Sequence, residues 1–425
     1  MTTLPNLSVI IPCYNEEKYI GQCLESLLAN SYPQDRLEIW VVDGMSPDNT
    51  RAIVGQYQKK YRFIHIADNA DRHIPAGLNF GIRNAKGDVV IRVDAHSTYA
   101  QDYLEKCATY LLEYDLDNAG GVLTTMPGAD TNVARCIALV LSSRFGVGGS
   151  HFRVGVDAPR QVDTLAFGCF RKATLEAVGG FDESLLRNED IDINFRIKSR
   201  GGRVMIFPDI HGYYYAKPNF FLFVRHNFSN GIWVTYPIIL GKQRLSLRHW
   251  VPFLFLMGLF FCVGVLWINP PLAWIGFTVI LVPYGLLSLY ESFKIAARAR
   301  WVYLFYLPWM FFALHVSYGG GSLAGIIKIV YLSFEKVIKR TRFEATADPV
   351  TERELLMEAM VDGTTRAPME KLPIRTFSEF LAESFPQRNP FLRKDKGLFC
   401  NFCKWVSLPI AYALFRLGIT ANFFD

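Results

Sequence analysis

The sequence predicts an α/β domain built on a largely parallel sheet, followed by helices that enter a membrane. Three observations predict it. Residues 6–95 alternate short β-rich runs with stretches of helical spacing, a pattern that makes parallel strands covered by helices on both faces. Acidic residues cluster where the strands end, the side on which such sheets hold ligands. From Val251 to Tyr290 there is no Asp, Glu, Lys or Arg, whereas about 20 apolar residues suffice for a helix to cross a bilayer.

Leu7–Ile11 is uniformly apolar and reads as a strand buried on both faces. Glu16–Asn30 carries apolar residues at Tyr19, Ile20, Cys23, Leu24, Leu27 and Leu28, the spacing of a helix. Leu37–Val42 is a second strand. Ser46-Pro47-Asp48 supplies an N-cap and a proline at a first helical position, so a helix is expected from there to about Lys60. A third strand over Phe63–Ala67, a helix over Ile74–Ala85 and a fourth strand over Val89–Val93 follow. From Asp102 to Tyr215 the pattern loosens and Gly-rich loops such as Gly146–Gly149 appear. A region of this kind builds the acceptor half of a site on a rigid first half.

Asn269-Pro270-Pro271 breaks the uncharged stretch into two spans, about 250–268 and 272–290. Arg244 and Arg248 before it, and Lys294, Arg298 and Arg300 after it, give the positive-inside pattern. They place the N-terminal domain on the cytoplasmic side of a multi-pass inner-membrane protein, and residues 1–30 carry no signal peptide. A third hydrophobic segment, 301–327, contains Gly319-Gly320-Gly321. A full span there would put Lys328, Lys336, Lys339, Arg340 and Arg342 on the outer side, so a segment that re-enters and breaks at the glycines is expected. The boundaries are therefore 1–245 for the α/β domain, 246–335 for the membrane region and 336–425 for a polar tail.

The net charge of +6 is modest, and no basic patch interleaved with aromatics stands apart from the membrane edge, so nucleic acid is excluded as a partner. The eight cysteines lie singly or in apolar stretches, apart from Cys400 and Cys403, and read as reduced thiols. A dinucleotide-binding enzyme would need Gly-x-Gly-x-x-Gly after the first strand, and residues 12–17 contain no glycine. A nucleotidyltransferase would need a Gly-rich, basic loop there.

Three acidic clusters carry the chemistry: Asp43 with Gly44, Ser46 and Asp48; Asp94-Ala95-His96; and Asn188-Glu189-Asp190-Ile191-Asp192. Carboxylates at strand ends bind ribose hydroxyls or ligate Mg²⁺ or Mn²⁺, and a separate one can deprotonate an acceptor hydroxyl. Leu7-Ser-Val-Ile-Ile-Pro-Cys-Tyr-Asn-Glu-Glu17, Val41-Val-Asp-Gly-Met-Ser-Pro-Asp-Asn-Thr50, Asn79-Phe-Gly-Ile-Arg-Asn-Ala-Lys-Gly87, Asp94-Ala-His96 and Gly179-Gly-Phe-Asp182 with Glu189-Asp190 resemble the family 2 glycosyltransferases. More narrowly they are similar to the membrane-bound enzymes of succinoglycan-type exopolysaccharide synthesis, over about residues 6–330.

The resemblance implies a GT-A fold, an inverting mechanism, a nucleotide-sugar donor and a divalent metal, Mg²⁺ or Mn²⁺. It implies that Pro12, Tyr14, Glu16, Asp43 and Asp94 bind the nucleotide sugar and that Asp190, with Glu189, is the general base. Asp94, His96 and His211 would hold the metal, with His96 where the wider family has an aspartate, and Gly168 and Asp192 would lie on the acceptor side. Arg225–Trp233 lacks the Gln-x-x-Arg-Trp motif of processive members, which points to single transfer. Trp233, Tyr236, Arg244, Arg248 and Trp250 read as membrane-interface anchors or as contacts for the phosphate of a lipid-linked acceptor. His315, alone in an apolar run, is either a functional site or a packed, hydrogen-bonded histidine. Residues 405–422 are similar to the lead-in helix of CDP-alcohol phosphatidyltransferases but lack the aspartate motif, and read as an amphipathic helix on the membrane. The rival reading is a catalytically inactive relative serving as a scaffold in a membrane assembly.

Overall fold

A computed structural model describes residues 4–239 and 247–346. Arg244, Cys400, Cys403 and the 405–422 segment lie outside the described residues.

The first half follows the alternation. Strand β1 (Leu7–Cys13) is buried along its whole length. It is followed by α1 (Ile20–Leu28), β2 (Leu37–Asp43), α2 (Thr50–Lys60), β3 (Ile64–Asp68), α3 (Ile74–Asn84) and β4 (Val89–Arg92). The strands run parallel in the order β3-β2-β1-β4. Helix α2 starts at Thr50 rather than at Pro47. The Ser46 hydroxyl is drawn to Asp43 at 2.5 Å, and Asp48 accepts from the Thr50 amide at 3.0 Å instead.

The second half is β5 (Ser97–Tyr99), α4 (Tyr103–Glu113), β6 (Asn118–Met126), α5 (Asn132–Leu141), α6 (Arg144–Val147), α7 (His151–Val154), β7 (Arg160–Gln161), β8 (Cys169–Arg171), α8 (Lys172–Val178), α9 (Glu189–Ser199) and β9 (Val204–Tyr215). β8 pairs antiparallel with both β4 and β6, β9 runs parallel to β6, and β5 closes the far edge on β9. The β6–β9 register jumps from Gly121↔Phe207 to Val122↔His211, so Pro208, Asp209 and Ile210 bulge out. A Cβ at Gly121 would lie 2.1 Å from the Ile210 carbonyl oxygen, so the bulge needs a glycine opposite it.

The chain continues through α10 (Phe220–Ile239), α11 (Val251–Leu266), α12 (Pro270–Arg298) and α13 (Leu307–Thr346). Three of these segments, Leu247–Leu266, Pro270–Arg298 and Leu307–Tyr331, are long and apolar enough to cross a membrane. The expected break at Gly319–Gly321 is not present, and α13 runs through it as continuous helix. These glycines serve close packing instead. A Cβ at Gly321 would lie 1.9 Å from the Phe228 carbonyl oxygen of α10, one at Gly231 2.1 Å from that of Tyr318, and one at Gly319 2.3 Å from that of Pro252. Small residues of this kind let helix backbones touch.

The described residues of 4–238 and 247–323 form one compact unit. The core on one face of the sheet runs from Val9, Ile11 and Val41 through Ile137 and Val140 to Tyr303, Leu307, Phe311 and Leu314. His315 is fastened there, with ring nitrogens 2.9 Å from the Tyr284 hydroxyl and 3.1 Å from the Phe145 carbonyl oxygen.

Replacing Gly321 by Ala should destabilise the protein by about 1–3 kcal/mol through overpacking, seen as a lower melting temperature in detergent. Gly264→Ala, with nothing within 4 Å of the added carbon, should leave the melting temperature unchanged or raise it.

Candidate active site

The site is assembled at the carboxyl ends of β1, β2 and β4. The loops after β1 and β2 are joined by hydrogen bonds from the amides of Asn15 to Ser46 Oγ (2.9 Å), Glu16 to Thr50 Oγ1 (2.8 Å) and Glu17 to Asp48 Oδ2 (3.2 Å). Asn15 adopts φ 58°, which turns the loop back over the sheet. Asp43 organises this corner. It is fully buried, takes both the amide and the hydroxyl of Ser46, and pairs with Arg51 at 2.8 Å. Burial alone would raise its pKa, but the Ser46 and Arg51 contacts outweigh that and hold it below its ordinary value. The Tyr14 ring lies exposed beside Gly44, where a Cβ would come within 3.1 Å of it, and Pro12 is buried beneath.

Arg92, the last residue of β4, lies under the floor of the cleft and is 6% exposed. Its Nη2 is 2.7 Å from Glu189 Oε1 and 3.5 Å from Asp94 Oδ1. It thereby ties the strand-end carboxylate to the first residue of α9. Gly168 leaves room at this point: its carbonyl accepts from the Arg92 amide at 3.0 Å, and a Cβ on it would overlap the Asn118 side chain at 2.4 Å.

Asp190 stands in the first turn of α9, after Asn188 in the left-handed conformation. Burial, and then the negative charge of Glu189, raise its pKa to about 6, while Arg92 restrains the rise. Glu16 Oε1 meets His96 Nδ1 at 3.0 Å. Burial opposes protonation of His96, yet Glu16 and Asp94 outweigh it and raise the pKa.

Opposite these acids stands a set of cations. Arg187 donates to Asn230 at 3.1 Å, and its Nη1 lies 3.3 Å from His226 Nδ1. Arg153 sits over the Tyr214 ring with its Cζ 5.1 Å from the centroid. Burial, and then the charges of Arg187, Lys217 and Arg153, push His226 well below its ordinary pKa. Burial also lowers Lys217, which feels Glu16 and Asp94 from across the cleft. Among the described residues, no carboxylate lies within ion-pair distance of Arg153, Arg187 or Lys217. Half-buried like charges without counter-ions form a site suited to an anion.

The structure brings together Glu16, Asp94, His96, Glu189 and Asp190 of the expected set. Pro12, Tyr14 and Asp43 stand at the neighbouring corner of the β1 and β2 loops, while His211, Gly168 and Asp192 lie apart from this group. His211 is exposed on β9 beside Val122, while His96 faces Tyr215. Four residues of strand, about 13 Å, separate those two positions. Among the described residues no three His, Cys, Asp or Glu side chains group as a metal cage. Asp192 is buried against Arg196 at 2.7 Å, and Arg196 in turn holds the Val178 and Gly180 carbonyls. This pairing fastens α9, and Gly168 is buried at the edge of β8, its carbonyl bonded to the Arg92 amide of β4.

Sequence reasoning missed Arg92, Arg153, Arg187, Lys217 and His226. The adjacency of Arg187 to Asn188-Glu189-Asp190 was the one available signal.

A four-stranded parallel half joined to a mixed half is the GT-A arrangement of nucleotide-diphospho-sugar transferases. The fold matches the mannosyltransferase PcManGT of Pyrobaculum calidifontis with a TM-score of 0.50 at 18% identity, covering 76% of this chain and 88% of that one. Residues 8–154 match the glycosyl transferase family 2 domain. A Methanococcus voltae relative is 28% identical over 76% of this chain and 97% of its own length. It is the dolichyl N-acetyl-α-D-glucosaminyl phosphate 3-β-D-2,3-diacetamido-2,3-dideoxy-β-D-glucuronosyltransferase. The succinoglycan biosynthesis protein ExoA of Rhizobium meliloti is 29% identical over 49% of this chain and 63% of its own length.

Replacing Arg92 by Met leaves Glu189 a buried, unpaired carboxylate and should cost about 3–5 kcal/mol of stability. Thermal unfolding in detergent should show that loss, and adding Glu189→Gln should recover part of it.

Proposed function

We propose that this protein is an inverting glycosyltransferase at the cytoplasmic face of a membrane. It moves one sugar from a nucleotide-diphosphate donor to a lipid-linked acceptor in polysaccharide or glycolipid synthesis. The observation that carries the reading is the carboxylate Asp190, its pKa raised, next to Glu189, which Arg92 ties to Asp94, in a protein that also carries half-buried cations without counter-ions.

The acceptor hydroxyl gives its proton to the Asp190 carboxylate as its oxygen bonds to the donor sugar carbon. The bond from that carbon to the diphosphate breaks on the opposite face, and its electron pair leaves with the phosphate oxygen. Arg153, Arg187 and Lys217 stabilise the charge that builds there. Pro12, Tyr14, Glu16 and Asp43 line or order the nucleotide side.

A divalent cation fits this donor set. Mg²⁺ is commonly held by one or two carboxylates plus substrate phosphates, not by an all-protein cage. Asp94 would supply the carboxylate and His96 its Nε2, since Nδ1 is engaged by Glu16. Such an ion would neutralise the diphosphate. The P. calidifontis enzyme was solved with GDP-Man and Mn²⁺, and the M. voltae enzyme is named for a dolichyl phosphate sugar acceptor. Three apolar helices support residence in a membrane.

Purified full-length protein with Mn²⁺ or Mg²⁺, a panel of nucleotide sugars and acceptor lipids should release the nucleoside diphosphate. Asp190→Asn should lower that rate by about 10²–10⁴-fold while nucleotide binding persists. If no donor turns over and Asp190→Asn behaves as wild type in cells, the inactive-scaffold reading replaces this one. Because the base works deprotonated, kcat should fall by about tenfold per pH unit below the Asp190 pKa of about 6.

A further inference from the structure

A second group of cations stands at the membrane edge. Arg248 lies just before Trp250 and α11. Its Nη1 donates to the Gly149 carbonyl at 2.7 Å and its Nε to His249 Nε2 at 3.3 Å. The loop passes directly over it: Gly148 adopts φ 60°, and a Cβ there would be 3.1 Å from that of Arg248. Arg144 and Arg160, both exposed, face His151 together with Arg248, and after burial their charges hold the imidazole below its ordinary pKa. Asp163 is the acid that acts on this group, and it is already paired with Lys198 at 3.7 Å. Arg248 also interacts electrostatically with Asp190.

This group is separate from the one around His226, whose charged neighbours are Arg187, Lys217, Arg153 and His96. One cation group thus serves the Asp94–His96 end of the cleft and another its membrane end, with Asp190 within electrostatic reach of the second. A transfer between two phosphate-bearing substrates needs two anion sites. The first takes the donor's diphosphate. The second sits where α11 begins, against the exposed apolar surface of Val251, Leu254 and Phe261, so a ligand there can keep a hydrocarbon tail in the bilayer.

We propose that Arg248, with Arg144 of α6 and Arg160 of β7, binds the phosphate of the acceptor lipid and sets its sugar head group beside Asp190. The inference rests on the reading of the acceptor as lipid-linked. Guanidinium groups suit it because their planar fork matches phosphate oxygens.

The test uses full-length protein in phosphatidylcholine nanodiscs with a polyprenyl monophosphate as probe, followed by tryptophan fluorescence. Uncharged polyprenol and phosphatidylglycerol are the comparisons. Polyprenyl phosphate should bind at least tenfold more tightly than polyprenol. Arg248→Ala and Arg160→Ala should each weaken it tenfold or more, with Arg248→Lys in between, while nucleotide affinity stays within twofold. Arg160 is exposed, so its variant keeps the test decisive if Arg248→Ala fails to fold. Wild-type probe binding by Arg160→Ala and Arg248→Lys overturns the proposal. So does displacement of the probe by equimolar phosphatidylglycerol, which would make this a site for bulk anionic headgroups. Nucleoside diphosphate release with nucleotide sugars and acceptor lipids supplied tests the transferase reading separately. If release fails while the probe binds through these arginines, the transferase reading falls and the phosphate site stands.

Discussion

One buried guanidinium holds the site together. Arg92 ends a strand of the parallel half, and its partner Glu189 opens the helix that presents Asp190 from the other half. Without that positive charge, Glu189 and Asp190 would place two buried negative charges side by side next to Asp94, and at least one would be driven to take a proton. The cation lets strand-end acid and helix-end acid share one cleft. The surroundings are fitted to it: Gly168 yields space beside its backbone, and the Asp192–Arg196 pair pins the same helix from behind.

The charge distribution then has a direction. Acids cluster at the ends of the parallel strands, and unpaired cations come from the loops and helices of the second half. In the proposed reading a negatively charged donor lies between them, its phosphates toward the cations and its ribose toward the acids. Sugar transfer requires charge to move from the acceptor hydroxyl to the departing phosphate, and the protein presents opposite fields at those two ends.

Much of this was legible in the sequence where local rules suffice. The first four strands, the helices between them and the acid-bearing strand ends follow from periodicity and from the preference of such sheets for ligands at their carboxyl ends. The cations were not legible, because Arg92, Arg153, Lys217 and His226 are single residues far apart in the chain that only the tertiary fold gathers. The placement of His211 away from His96 was hidden for a related reason: three bulged residues reset the strand register, and a bulge has no fixed sequence mark. The glycines of α13 show how one residue type supports opposite readings. Glycine permits a break, and it also permits two helices to touch; the choice depends on a neighbouring backbone that the local sequence does not contain.

The shared core has a consequence for how the molecule can be divided. Leu307 and Phe311 are fully buried, and Tyr303 and Leu314 nearly so, in the same cluster as the strands and α5. The last piece of this shared interior thus arrives about 75 residues after His226, on the far side of the apolar hairpin. A fragment ended ahead of that hairpin would carry every acid of the cleft and still present a bare hydrophobic face to water. Solubility and completeness pull against each other in this chain, and no single cut delivers both.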